Sequence, residues 1–168
     1  NPTTGASYSD AAFHEVGVVK LHVKDSNYFN ATIPEQTLTI GRFTPHHFDT
    51  TVSPACSTST PFTYSGQAFS VTATAKNNAS TPVTTQNYTG AFAFNTPLTN
   101  AAVSDSANFN TTNIIPAASY LNGTASKSDV VYTFPAANTP AADILLRAND
   151  ADTVNATGVT EGSNNIRR

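Results

Sequence analysis

The sequence predicts an all-β fold: an immunoglobulin-like antiparallel β-sandwich preceded by strands of a second, incomplete β unit. Two observations carry this prediction. Apolar and polar residues alternate with the two-residue period of half-buried strands in successive short segments, and clusters of Gly, Pro, Asn, Asp and Ser separate those segments. No segment of useful length shows the 3.6-residue period of an amphipathic helix.

The chain is organised around residues 40–49, where we predict a joint between two β units. Leu38 and Ile40 alternate with threonines, and Gly41 and Pro45 then interrupt the pattern. Because proline cannot donate to a strand ladder and pushes the residue before it into an extended conformation, the chain should cross between sheets here without a helix. The predicted units are an incomplete β unit at 1–43, an immunoglobulin-like sandwich at 44–152 and a polar C-terminal tail at 153–168.

The first unit contains two predicted strands, at 13–24 and 36–43, with a turn at 25–27. Within the first strand the apolar residues change from one set of alternating positions to the other. A β-bulge beside Gly17 would produce this change, because one extra residue reverses the face of every side chain beyond it. An isolated strand pair is marginally stable in water. We therefore expect this unit to pair with the rest of the chain, with an upstream segment or with another chain.

The second unit begins with a strand near Phe48 and contains the cleanest alternation in the chain, at 69–76. One row there is apolar and the other polar, which is typical of an antiparallel strand with one wet face. The aromatic row at 88–94 predicts another strand, in which Gly90 leaves a gap for a cross-strand side chain. Two further strands are expected after a weakly patterned connection, at 126–134 and 144–148.

The composition indicates a secreted or cell-surface β protein. Only 11% of the 168 residues are charged, Thr and Asn are abundant, and ten Phe and six Tyr supply large apolar side chains. The net charge of −3 and the lack of clustered Lys and Arg give no electrostatic basis for binding nucleic acid. No apolar run of about 18 residues occurs, so we predict no transmembrane segment.

No catalytic motif is present. The sequence lacks a G-x-S-x-G elbow, a P-loop, a G-x-G-x-x-G run before a helix and an H-E-x-x-H pair. His46 and His47 are adjacent, so within a strand their side chains would point to opposite faces, which disfavours a shared metal site. We predict a protein that is not an enzyme, with no catalytic residues.

A weak calcium candidate lies near the C-terminus. Asp150 and Asp152 offer alternate oxygen ligands, as calcium loops do. The glycine that such loops need for their turn is missing, and a turn stabilised by side-chain hydrogen bonds of Asn and Asp is the preferred interpretation. We therefore predict no cofactor, with calcium as the alternative.

Three tyrosines lie outside the apolar rows of the predicted strands and are weak candidates for a platform that stacks on a surface glycan: Tyr8, Tyr28 and Tyr120.

Cys56 is the single cysteine, which forbids an internal disulfide. We expect a small buried or part-buried thiol near a loop there, with a bridge to a cysteine outside this chain as the alternative. The six N-x-S/T sequons are close to what a chain this rich in Asn, Ser and Thr contains by chance, so they carry no inference.

Three stretches carry a family resemblance. They are E-V-G at 15–17; I-G-R-F-T-P-H-H-F at 40–48, followed by Cys56, F-T-Y-S-G-Q at 62–67, T-A-T-A-K-N at 72–77 and N-Y-T-G at 87–90; and R-A-N-D-A-D at 147–152 with E-G at 161–162 and I-R at 166–167. In order and spacing the chain resembles the MshQ-like family, large secreted proteins found with mannose-sensitive-haemagglutinin-type type IV pilus clusters. Thr153 departs from the family pattern, which has glycine there.

The resemblance implies an extracellular, pilus-associated or adhesive role at the surface of a Gram-negative bacterium, and it brings no catalytic residues. Our first hypothesis is a structural or adhesive β-sandwich module whose partners are other segments or copies of a surface protein. The second is a filament subunit that forms a homopolymer by strand exchange through residues 1–43. The third is a carbohydrate-binding module.

Overall fold

A computed structural model of the chain describes residues 7–56, 61–100, 113–133, 144–150, 162–164 and 166–167. The predicted all-β class is confirmed. The strands are β1 (Gly17–Tyr28), β2 (Ala31–Phe43), β3 (His47–Ser53), β4 (Thr63–Tyr64), β5 (Phe69–Lys76), β6 (Thr96–Asn100), β7 (Ile114–Ile115), β8 (Thr124–Val130), β9 (Ile144–Ala148), β10 (Gly162–Asn164) and β11 (Ile166–Arg167). Helical structure within the described ranges is limited to two short 3-10 turns, Gly90–Phe92 and Ala117–Ser119.

Two antiparallel sheets form the body. One has the order β3-β5-β8 and the other the order β10-β9-β6-β7. The segment predicted to be a polar tail supplies two of the strands, since β10 pairs with β9 and β11 pairs in parallel with β4. The last residues described thus belong to the sheets and are not only a tail.

The core lies between these two sheets, as a sandwich requires. In β5 the row predicted to face inward is buried, whereas the alternating Ser70, Thr72 and Thr74 are half-exposed. Leu98 and Leu146 of the second sheet belong to the same buried cluster. The inward row consists of Phe69, Val71, Ala73 and Ala75.

A separate two-stranded sheet, the hairpin β1–β2, contains the predicted irregularity beside Gly17. The register of the two strands shifts between Gly17 and Val19, which confirms the bulge. The prediction of a turn at 25–27 is wrong, because β1 continues to Tyr28 and the chain reverses at Phe29–Asn30. The Asp25 carboxylate accepts a hydrogen bond from the Asn27 backbone at 2.9 Å, so the polar residues make a local irregularity within the strand.

The strand predicted at 88–94 is wrong. Tyr88 is buried, but the chain then forms the 3-10 turn at Gly90–Phe92. Gly90 has φ of +55°, a left-handed conformation that favours glycine and cannot continue a strand. A Cβ atom at Gly90 would meet no heavy atom within 4 Å, so no cross-strand side chain occupies the gap.

The joint around Pro45 is confirmed, because β2 ends at Phe43 and β3 begins at His47 with no helix between them. The opposite orientation predicted for His46 and His47 is wrong. Their Nδ1 atoms are 2.9 Å apart, and one ring donates a hydrogen bond to the other. His46 precedes the strand, so the alternation of strand side chains does not apply to it.

Candidate functional site

The hairpin β1–β2 carries an apolar face that the described part of the chain leaves largely uncovered. Leu21, Val23 and Leu38 expose 44%, 57% and 59% of their surface. The strand register brings these residues together with two more, and we call the set the apolar face: Val19, Leu21, Val23, Leu38 and Ile40. Contiguous exposed apolar residues of this kind mark interaction sites in soluble proteins.

The opposite face of the hairpin is polar. Lys20 pairs with Thr39 and His22 with Thr37 across the strands. The Nδ1 atom of His22 lies 2.6 Å from an oxygen of Glu35, and both side chains are about half exposed, so this contact contributes little to stability. The hairpin therefore has the two-sided chemistry of a sheet with one wet face and one core face.

The tip of the hairpin is strained and apolar. Phe29 and Asn30 connect the strands with φ of 50° and 63°, and positive φ at both central residues is the geometry of a type I′ turn. Asn tolerates this conformation, whereas a bulky residue such as Phe rarely adopts it. The Phe29 side chain is 78% exposed. The tip of the hairpin therefore combines a strained backbone with a largely exposed aromatic residue.

A pocket of about 420 Å³ lies where the apolar face meets the base of the hairpin. The rings of Phe13 and Phe43 are 5.0 Å apart and close one side of it. We call it the base pocket, and its lining is entirely apolar: Ala11, Ala12, Phe13, Val19, Leu21, Ile40 and Phe43. The segment at 11–13, which leads into β1, therefore crosses the apolar face.

The base of the hairpin is joined to the sandwich by Arg42. Its guanidinium carbon lies 4.0 Å from the centre of the Phe94 ring, and its Nη2 donates to the Phe92 carbonyl at 3.4 Å. Cation–π contacts of this kind hold a charged group over an aromatic face. The G-R-F run that resembles the family motif thus performs an anchoring role.

A second anchor lies just before β1. The Glu15 carboxylate accepts hydrogen bonds from the backbone N–H groups of Gln86 and Asn87 at 3.2 and 3.0 Å. The Asn77 amide donates to the His14 carbonyl at 3.1 Å, and Val16 is 1% exposed in the sandwich core. These contacts attach the base of the hairpin to the sandwich, whereas in the part of the chain that the structure describes β1 and β2 pair only with each other.

Both outer edges of the hairpin are open within the described ranges, since β1 and β2 pair only with each other. β1 contains no proline over its 12 residues, whereas Pro34 lies in β2. Proline has no N–H group and blocks pairing at its position. β1 accordingly offers the less interrupted edge for another strand.

Tyr120 does not belong to a surface platform, and the prediction for this residue is wrong. It is 3% exposed, and its ring lies 4.8 Å from that of Tyr88 and 6.0 Å from that of Phe48. Its hydroxyl group donates to Thr96 Oγ1 at 2.9 Å, and burial raises the pKa of Tyr120. Tertiary packing against the rings of Phe48 and Tyr88 buries Tyr120 although no strand pattern surrounds it.

Asp150 is also buried, at 2% exposure. The Tyr88 hydroxyl group donates a short hydrogen bond to it and accepts one from the Phe94 N–H at 3.1 Å. Burial, together with this carboxylate, raises the pKa of Tyr88. Among the described residues, no group of three or more His, Cys, Asp or Glu side chains could hold a metal ion. Asp152 lies outside the described ranges. The calcium site stays a prediction.

The remaining candidates are distributed over the chain. Tyr8 is 79% exposed, and the side chain of Tyr28 lies outside what the structure describes. Cys56 is part-buried, and its Sγ lies 3.8 Å from the Gln67 side-chain oxygen. A bridge from Cys56 to another chain stays a prediction.

Among the described residues no helix is long and apolar enough to cross a membrane.

Sequence reasoning missed the hairpin tip and the two anchors. Phe29-Asn30 resembles the Asn-Gly type of turn only at its second residue, so the signal was weak. The alternation of Val19, Leu21 and Val23 was visible, but it is equally typical of a strand whose face is covered. Arg42 and Glu15 contact residues 50 and more positions away, which no local pattern reveals.

The fold and this surface define an all-β domain with a protruding amphipathic hairpin. The chain belongs to the DUF6701 family: the model of its third domain, "DUF6701, third domain", matches residues 15–166. That match includes both the hairpin and the sandwich. No curated protein and no solved structure matches the chain.

Proposed function

We propose that this domain is a non-catalytic structural and interaction module of an MshQ-like, pilus-associated protein on the surface of a Gram-negative bacterium. The observation that carries the proposal is the hairpin, whose apolar face and strained aromatic tip extend from a firmly anchored base. A surface of this kind is suited to joining protein segments and has no role in turning over a substrate.

The resemblance at 15–17, 40–48 and 147–152 supports the extracellular location, as does a surface rich in Thr and Asn. The G-R-F run and the E-V-G run coincide with the two anchors of the hairpin, at Arg42 and Glu15. The residues that support the family assignment are thus the ones that hold the interaction surface in place.

The test replaces residues 18–40 of the natural protein by a short Gly-Ser turn in its host. We expect the altered protein to be exported and folded, but to be lost from the cell surface or from sheared pilus fractions when both are probed with an antibody against the sandwich. A matched control replaces the exposed polar Thr37 by Ser. Normal surface display of the hairpin deletion, or a cytoplasmic location of the unaltered protein, would contradict the proposal.

A second candidate function is self-assembly into a filament through residues 1–43. The open edge of β1 favours it, because a strand from a second copy could extend this sheet. β1 and β2 already pair with each other, so assembly would proceed by addition at an edge. Negative-stain microscopy of the purified chain at rising concentration tests this alternative: it requires filaments that His22→Pro abolishes, and compact monomers alone would rule it out.

A further inference from the structure

We infer that the apolar face of the hairpin is covered by the domain that precedes this one in the same polypeptide. This inference rests on the proposed function and names the partner of its interaction surface. The family model describes this chain as a third domain, so members of the family carry other domains in the same protein.

The position of the lead-in favours the preceding domain. Family similarity begins at residue 15, and the lead-in segment at 11–13 lies against the apolar face as part of the base pocket. The chain therefore enters this domain along the apolar face, which is otherwise largely exposed. A domain joined to the N-terminal end of this lead-in is tethered within reach of the face, with no search through solution.

The size of the face favours a tethered partner over a free one. The apolar face spans five residues of β1, so it is about 17 Å long and about 10 Å wide, which offers about 170 Å² of flat surface. Two copies stacked on each other through it would bury about 340 Å², far less than the roughly 1,200 Å² of a stable complex. A short linker raises the effective concentration of a partner to the millimolar range, so a small face is sufficient for it.

The chemistry of the face specifies the partner's surface. Lys20, His22 and Glu35 all lie on the opposite side, and the five residues of the apolar face are all uncharged. The base pocket is lined by apolar side chains alone. The partner is therefore expected to present aliphatic or aromatic side chains, packed as the second layer of a small sandwich.

The test compares two polypeptides: residues 1–168, and a longer one that begins one family domain earlier and ends at Arg168. Amide hydrogen exchange is measured in β1 and β2 of both, with sedimentation velocity over a range of concentrations. We expect the short chain to be a monomer with fast exchange in the hairpin, and exchange to slow at least about tenfold in the longer one.

The matched variants are Leu38→Asn and Thr39→Asn in the longer polypeptide. Both positions are exposed in β2, but they lie on the apolar and the polar face respectively, so neither substitution disturbs the sandwich. Leu38→Asn should return the hairpin to the exchange rates of the short chain, and Thr39→Asn should not.

Equal hairpin exchange in the two polypeptides would overturn the inference, as would equal effects of the two variants. Concentration-dependent dimers of residues 1–168 that Leu38→Asn abolishes would assign the face to a second copy and would overturn it as well. The proposed function would survive either result, because it depends on surface display in the host. Conversely, a cytoplasmic protein whose hairpin is protected by the preceding domain would contradict only the proposed function.

Discussion

The guanidinium carbon of Arg42 lies 4.0 Å from the centre of the Phe94 ring and so connects the hairpin to the sandwich. Arg42 is in β2, and Phe94 directly follows the 3-10 turn of the body. Few described side chains connect these two parts so directly. The interaction therefore determines how stiffly the apolar face is presented to a partner.

Replacing Arg42 by Met should loosen the hairpin with little effect on the sandwich core. Met keeps an apolar stem but removes the charge over the ring, which costs about 0.5–1 kcal/mol at an exposed site. Amide exchange in β1 and β2 should become faster, whereas exchange in β5 should not change. Lys20→Met, on the polar face of the hairpin, is the control; a similar acceleration there would refute the anchoring role of Arg42.

Glu15→Gln should weaken the second anchor. The two carboxylate oxygens accept one backbone N–H each, at 3.2 and 3.0 Å, and the Gln amide has only one oxygen to offer. We expect the free energy of unfolding to fall by about 1 kcal/mol, measured by urea denaturation. Glu35→Gln, which changes an exposed contact of the hairpin, should cost less, and an equal cost would count against the anchor.

Tyr88→Phe should destabilise the sandwich by about 1–3 kcal/mol, because it removes the donor to buried Asp150 and the acceptor of the Phe94 N–H. The ring itself is retained, so packing against Phe48 is unchanged. Tyr8→Phe, at a position 79% exposed, should be neutral in the same denaturation experiment. Equal stability of the two variants would show that the buried pair contributes nothing.

Gly123→Ala should be far more damaging than Gly66→Ala. Both glycines have positive φ, +78° and +81°, so both substitutions carry backbone strain of about 1–2 kcal/mol. A Cβ at Gly123 would also lie 2.4 Å from the Thr85 carbonyl oxygen, whereas one at Gly66 meets nothing within 4 Å. Thermal unfolding should therefore separate the variants, and similar melting temperatures would disprove the close approach.

The sequence predicts a strand and its buried side correctly where one of its two alternating rows of side chains is buried along the whole strand. In β5 the apolar row is buried and the polar row is not, so pattern and burial agree. In the hairpin the same alternation occurs, but the cover is missing from the described residues, and no sequence pattern distinguishes a covered strand from an uncovered one. The interaction surface therefore became visible only in three dimensions.

The wrong predictions have local backbone causes. The row from Tyr88 to Phe94 has strand periodicity, but Gly90 adopts positive φ and converts it into a turn. Tyr120 lies next to a short 3-10 turn, and tertiary packing with Phe48 buries it without any strand pattern. Asn122-Gly123 is a good type I′ signal that sequence reasoning did not use.

The His46–His47 pair should make the protein less stable in mild acid. Burial lowers the pKa of His47, as does the neighbouring His46, and these effects outweigh the attraction of Asp49. The unfolded state, with an ordinary histidine pKa near 6.5, then binds the proton more readily than the folded state. The contribution of His47 is therefore full above about pH 6.5 and is lost as the pH falls below that value.

Urea denaturation at steps between pH 7.5 and pH 5.5 measures this effect in a window where most carboxylates remain ionised. The charged groups facing His47 are Asp49, Lys76 and His46, and they are kept in the variant His47→Gln. That variant should lose part of the pH dependence, whereas His22→Gln on the exposed hairpin should keep it. Because only a group whose proton affinity differs between the folded and unfolded states can produce such a slope, identical pH profiles of wild type and His47→Gln would remove His47 as its source.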